Sequence, residues 1–168
     1  VSLISGVHDL LPNRVGGAAL QKNLETLGDI QYTQEEIDFA LELQRNNGKP
    51  EIGIDGKIRP LRETLNSPGG GSTDSGDVSY NVPVVSLAAT TAPKGVPWHS
   101  WSVVASSGMS IGHKGMLHAA KALGMTMVDI FKDSKLRENI KKEFDEKIGE
   151  YEYDPYLDPG PPPIDYVD

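Results

Sequence analysis

Cysteine is absent from all 168 residues. Its absence excludes disulfide staples and thiolate metal sites, and it favours a reducing compartment over an oxidising one. Long apolar runs are missing too, since nothing approaches the roughly 18 consecutive apolar residues that a membrane-spanning helix needs. Nor does a basic start lead into an apolar stretch and a small-residue cleavage site. Basic residues are scarce, 16 Lys and Arg against 24 Asp and Glu, for a net charge of −8. That balance argues against a nucleic-acid surface, which needs clustered cations to displace the counterions of phosphates. The excess acid is concentrated at the end, where Glu150, Glu152, Asp154, Asp158, Asp165 and Asp168 occur with no base among them. A soluble, cytoplasmic protein with neither membrane nor nucleic acid as partner is the expectation.

With 38% hydrophobic and 24% charged residues, the chain can bury one ordinary core. It begins with Val inside VSLISGV, which reads as a strand, so upstream sequence is expected. Asn13 can cap a helix carrying Leu20, Leu24 and Leu27 on one face and ending at Gly28. Thr33 and Glu36 form a capping box for a second helix with Ile37, Ala40 and Leu41 on one side. Residues 46–77 read as a long loop region with a short hairpin candidate, Ile-Gly-Ile-Asp-Gly-Lys-Ile, and loops of that length are usually functional or disordered. The run VPVVSLAAT at 82–90 suits a strand buried on both faces, and residues 101–105 are a weaker strand candidate. Met116, Ala119, Ala120, Leu123, Met127, Ile130 and Phe131 keep helical spacing and predict a long helix packed by that face. A last helix, capped by Asp133 or Ser134, carries Leu136, Ile140, Phe144 and Ile148. The proline-rich tail at 151–168 reads as extended or disordered. Together these predict an α/β fold whose sheet lacks its outermost part.

Two constellations can carry chemistry. GGGSTDSGDV at 69–78 lets backbone N–H groups approach an anion, and Ser72, Thr73, Asp74 and Asp77 add polar groups. It lacks the Gly-Lys-Ser/Thr of a P-loop and the spacing of a calcium loop. On composition alone it fits a plain flexible loop as well as a binding loop. The second is PKGVPWHSW at 93–101, where His99 lies between two tryptophans after two prolines, on a stiff connection of the sort that orients a metal-ligating imidazole. A lone histidine is more often an ordinary polar surface or core residue. His113 and His118 are five apart and do not share a helix face as an i, i+4 zinc pair would. His113, beside Lys114 and Gly115 at a helix start, can meet a carboxylate. His8 has no second signal.

GGGSTDSGDVS, an apolar strand, PWHSW and then SIGHKGMLHAAKALG, with HDLLPNR at 8–14, follow one another in an order that resembles the zinc aminoacylase, hippurate hydrolase and glutamate carboxypeptidase superfamily of metallopeptidases. Within it the motifs are most similar to the carboxy-terminal region of the aminobenzoyl-glutamate branch. The resemblance implies a three-layer αβα catalytic domain interrupted by a lid that commonly dimerises. Residues 1–11 would then be the lid's last strand and hinge, 12–150 the returning half of the catalytic domain, and 151–168 the acidic tail. It implies a zinc-dependent amidohydrolase that cleaves an amide beside a free carboxylate with one or two zinc ions, manganese being another divalent choice. His99 takes the position of the family's last metal ligand, 25 residues after Asp74. Gly71, Ser72, Thr73 and Asp74 match a segment that closes over the substrate, and His113 stands where this branch has His-Lys-Gly-Met. The general base and the other ligands would lie upstream, so this chain alone is expected to be inactive. A homo-oligomer acting on a small acyl-amino acid is expected. The alternative is a non-catalytic binding or assembly module derived from the same fold.

Overall fold

The computed structural model describes residues 3, 5–62, 73–157, 159 and 160. Among the described residues six helices follow one another: α1 (Arg14–Leu27), α2 (Gln34–Asn46), α3 (Ser75–Ser79), α4 (Trp101–Ser107), α5 (Ser110–Lys132) and α6 (Ser134–Ile148). Among the described residues there is no strand, and the sole pairing is an isolated parallel bridge between Pro12 and Val84. The expected α/β sandwich is therefore overturned. The opening strand is absent over residues 5–11, the 52–58 hairpin does not form, and the 101–105 candidate is helical as α4. Residues 82–90 form no strand beyond the bridge at Val84, and none is buried. A two-face-buried strand needs neighbours to take its N–H and C=O groups, and here Pro12 and Pro83 have no N–H to give.

The chain divides into two compact units, one of Val1–Gly17, Arg62–Val85 and Ser134–Asp168, the other of Ala18–Leu61 and Ser86–Asp133. In the first, Asn13 caps α1 as its sequence predicts: its Oδ1 accepts from the Gly16 N–H at 2.9 Å while its Nδ2 donates to the Ile140 carbonyl at 2.8 Å. The free N–H groups of Arg14 and Val15 donate to the Glu143 carboxylate at 2.9 and 2.7 Å, where the positive end of the helix dipole favours an anion. Lys147 of α6 grips Glu143 at 2.7 Å and the Pro12 carbonyl at 2.6 Å. The α6 stripe points inward as predicted, with Ile140 buried and Leu136, Phe144 and Ile148 half-buried.

In the second unit, Leu20, Ala40, Leu43, Ile111 and Ala122 form the core. The Thr33 capping box is present in both directions. Lys114 reaches the buried Glu36 carboxylate at 2.6 Å and the Gln31 carbonyl at 2.9 Å, which ties the start of α5 to that of α2. The buried face of α5 is rotated away from the predicted one, on which only Ala119 and Ile130 are half-buried. Its buried residues are Ile111, Gly112, Gly115, Ala122 and Thr126, whereas Met116, Leu123, Met127 and Phe131 are 58, 41, 58 and 77% exposed. Small residues explain the choice, because they let another backbone approach: a Cβ on Gly115 would collide with the Thr90 carbonyl oxygen. The large apolar stripe is left outside.

Candidate functional site

His99 sits on a turn that α2 fastens at both ends. Gln44, fully buried, receives the Gly53 N–H on its Oε1 at 2.8 Å and donates Nε2 to the carbonyls of Gly53 and Lys94 at 2.9 and 2.8 Å. Asn47 donates to the Ser102 hydroxyl at 2.7 Å and so pins the start of α4. Between these anchors the chain turns so tightly that His99 takes a φ of 60°, and no other described residue except glycine has a positive φ. That left-handed conformation costs a residue with a Cβ roughly 1–2 kcal/mol, and such strain persists where surrounding structure imposes it and gathers at functional positions. The imidazole is exposed and makes no hydrogen bond among the described residues, and the flanking Trp98 and Trp101 are exposed as well.

His113 lies in the first turn of α5, exposed; its backbone N–H donates to the Met109 carbonyl at 3.0 Å, and its imidazole makes no hydrogen bond among the described residues. No hydrogen bond joins it to His99. Thr73 and Asp74 belong to the other unit, at the start of α3, where the Thr73 hydroxyl bridges toward Asp74 Oδ1 at 3.5 Å and Ser75 Oγ at 3.2 Å. Gly71 and Ser72 lie outside the described residues. Among the described residues, no three His, Asp or Glu gather closely enough to hold a metal ion.

The best-connected polar cluster surrounds a residue that sequence reasoning passed over. His8 is buried, and its Nδ1 lies 2.8 Å from Asp77 Oδ1 while its Nε2 lies 2.9 Å from the Tyr151 hydroxyl. A carboxylate only accepts, so Nδ1 carries a proton and donates to Asp77, and in the neutral imidazole the Tyr151 hydroxyl donates to Nε2. The Tyr153 hydroxyl donates to the same Asp77 oxygen at 3.1 Å. The hydrogen bond from His8 holds the Asp77 carboxyl below its ordinary range, against the opposing effect of desolvation. Tyr156 stacks on the imidazole at 4.3 Å with 13° between the rings, and Tyr80 is tilted against it at 5.1 Å. The available signal was the alternation Tyr-Glu-Tyr-Asp at 151–154, which turns both tyrosines to one side of an extended chain.

The chain is similar to a p-aminobenzoyl-glutamate hydrolase subunit of Escherichia coli (strain K12). Identity is 34% over 157 aligned positions that take in 79% of this chain and 33% of the relative. The resemblance read from the motifs is thus borne out. This chain spans about a third of the length of that relative. No family model matches the chain, and no solved structure matches it.

For the zinc that the motifs imply, the described residues offer one candidate ligand and no group of three. A catalytic zinc takes roughly three protein ligands and keeps one position open. His99, with both ring nitrogens unengaged on a pinned turn, can offer one of the three. His8 cannot, because Asp77 and Tyr151 already occupy both of its nitrogens. No described helix is long and apolar enough to cross a membrane.

Proposed function

We propose that the chain is the carboxy-terminal part of a zinc-dependent amidohydrolase that cleaves an amide bond beside a free carboxylate, with p-aminobenzoyl-glutamate or a related acyl-amino acid as substrate. The similarity to the p-aminobenzoyl-glutamate hydrolase of Escherichia coli supports the reaction class. The observation that carries the site is His99, strained at φ 60°, exposed and unpartnered among the described residues. One or two zinc ions, or manganese in their place, would polarise the amide carbonyl and bring the pKa of bound water to about 7. His99 would supply one imidazole. Thr73 and Asp74, with Gly71 and Ser72, would close over the substrate, and His113 would meet its carboxylate, helped by the N–H groups of the first turn of α5. The remaining ligands and the general base would come from the rest of the polypeptide, and this chain alone would be inactive. Cytoplasmic location and assembly with further subunits or copies belong to the same reading.

The test is made in the longer protein. His99→Ala should lose bound zinc and amide hydrolysis together. Because the loss of a group that merely orients a ligand costs roughly 10–100-fold, loss of the ligand itself should cost at least the upper figure. His118→Ala should keep both. Full activity in His99→Ala would overturn the assignment. A second reading, a binding or assembly module without catalysis, is favoured by the lack of a three-residue metal group among the described residues. Metal-ligand motifs upstream in the gene would decide against it.

A further inference from the structure

The tail after α6 has no regular structure over residues 151–157, yet Tyr151 and Tyr153 bond it to His8 and to Asp77 of α3. A helix of five residues cannot hold its own geometry, since nucleation costs more than so few hydrogen bonds return. Asp74 at its start makes no side-chain cap. The order of α3 must come from outside: the Leu11 N–H donates to the Ser79 hydroxyl and the Tyr80 hydroxyl to Asp9, while Asp77 accepts from the His8 backbone N–H, the His8 imidazole and the Tyr153 hydroxyl, the last being the tail's direct contribution. His8 is in turn held by Tyr151 through Nε2 and by the Tyr156 ring across its face. Backbone fit reinforces the arrangement, because α3 passes so near the His8 carbonyl oxygen that a Cβ on Gly76 would collide with it.

We propose that residues 151–156 form a strap that closes on His8 and Asp77 and thereby sets the position of Thr73 and Asp74 at the start of α3. Tyr151 and Tyr153 are positioning residues in this scheme. They touch neither substrate nor metal. The consequence for substrate affinity rests on the function proposed above, whereas the strap itself does not.

Hydrogen exchange followed by mass spectrometry on the 168-residue chain tests the strap. In Tyr151→Phe/Tyr153→Phe the amides of Val78, Tyr80, Asn81 and Val82 should exchange about tenfold faster, while α5 in the other unit keeps its protection. Unchanged exchange in α3 would overturn the proposal. So would loss of protection throughout α5, which would mean that the tail supports the whole fold and not one segment. The single variant Tyr151→Phe, which keeps the ring, should give an intermediate effect. In the longer hydrolase the double variant should raise KM for p-aminobenzoyl-glutamate and leave kcat unchanged. A loosened α3 with an unaltered KM would leave the strap standing and remove Thr73 and Asp74 from the substrate site.

Discussion

His8 and Asp77, 69 residues apart in sequence, meet with 2.8 Å between Nδ1 and Oδ1, and the backbone N–H of His8 donates to the same oxygen at 3.4 Å. One carboxylate thus ties the incoming chain to a short helix. Because the hydrogen bond from His8 lowers the Asp77 pKa, its contribution is complete above the ordinary carboxylate value of about 3.9 and is lost as pH falls through the lowered one. Asp77→Asn should therefore flatten the acid limb of a pH–stability curve for this unit. An acid limb identical to that of the wild type would show that the contact carries no stability.

The Glu36 and Lys114 pair should behave alike at greater strength. Burial pushes the Glu36 carboxyl up, but hydrogen bonds from Lys114, Ser110 and the Thr33 backbone, with the charge of Lys114, bring it down to about 2. A depressed carboxylate stabilises above its unfolded value and loses that contribution on acidification toward its folded one. Glu36→Gln should lower the melting temperature at pH 7 and shrink the difference from wild type near pH 2. Lys114→Met should cost more than Glu36→Gln, because it strands a buried charge, typically at about 3–5 kcal/mol.

Gln44 joins three backbone groups, of which the N–H and the carbonyl of Gly53 would otherwise be buried without partners. Gln44→Ala should destabilise the unit containing α2 by about 1–3 kcal/mol for each group left unsatisfied, read by denaturant unfolding. Gln44→Glu should also destabilise it, since a carboxylate cannot donate to the Gly53 and Lys94 carbonyls.

At His99 stability and function should pull apart. His99→Gly removes the penalty of a left-handed backbone and should stabilise the chain by about 1 kcal/mol, while His99→Ala keeps the strain and should not. Both should abolish zinc retention in the longer protein. Equal stability of the two variants would show that the turn carries no strain.

The spacing of residues was enough to define α1, α2, α5 and α6, though not the short α3 and α4. Asn13 with Leu20, Leu24 and Leu27, the Thr33 and Glu36 box, and the α6 stripe all act locally, through hydrogen bonds and side-chain periodicity within a few turns. The order of motifs was also enough to indicate the relative, although it left the roles of His99, His113 and Asp74 to experiment. What a sheet requires was not legible. A strand exists only if a neighbour accepts its hydrogen bonds, so VPVVSLAAT promised a strand and remains unpaired apart from the bridge at Val84.

The choice of face on α5 was decided by packing, because Gly115 and Ala122 permit close approach where Met116 and Phe131 do not, whatever their hydrophobicity. The His8 cluster is tertiary in origin throughout, since it joins residues 8, 77, 151, 153 and 156, which no local pattern links. By itself the sequence determined where the four long helices lie and which relative the chain resembles, since those are properties of neighbours along the chain. Only the tertiary structure decided which faces are buried, which histidine is engaged and which is left free, because those depend on what the rest of the chain brings alongside.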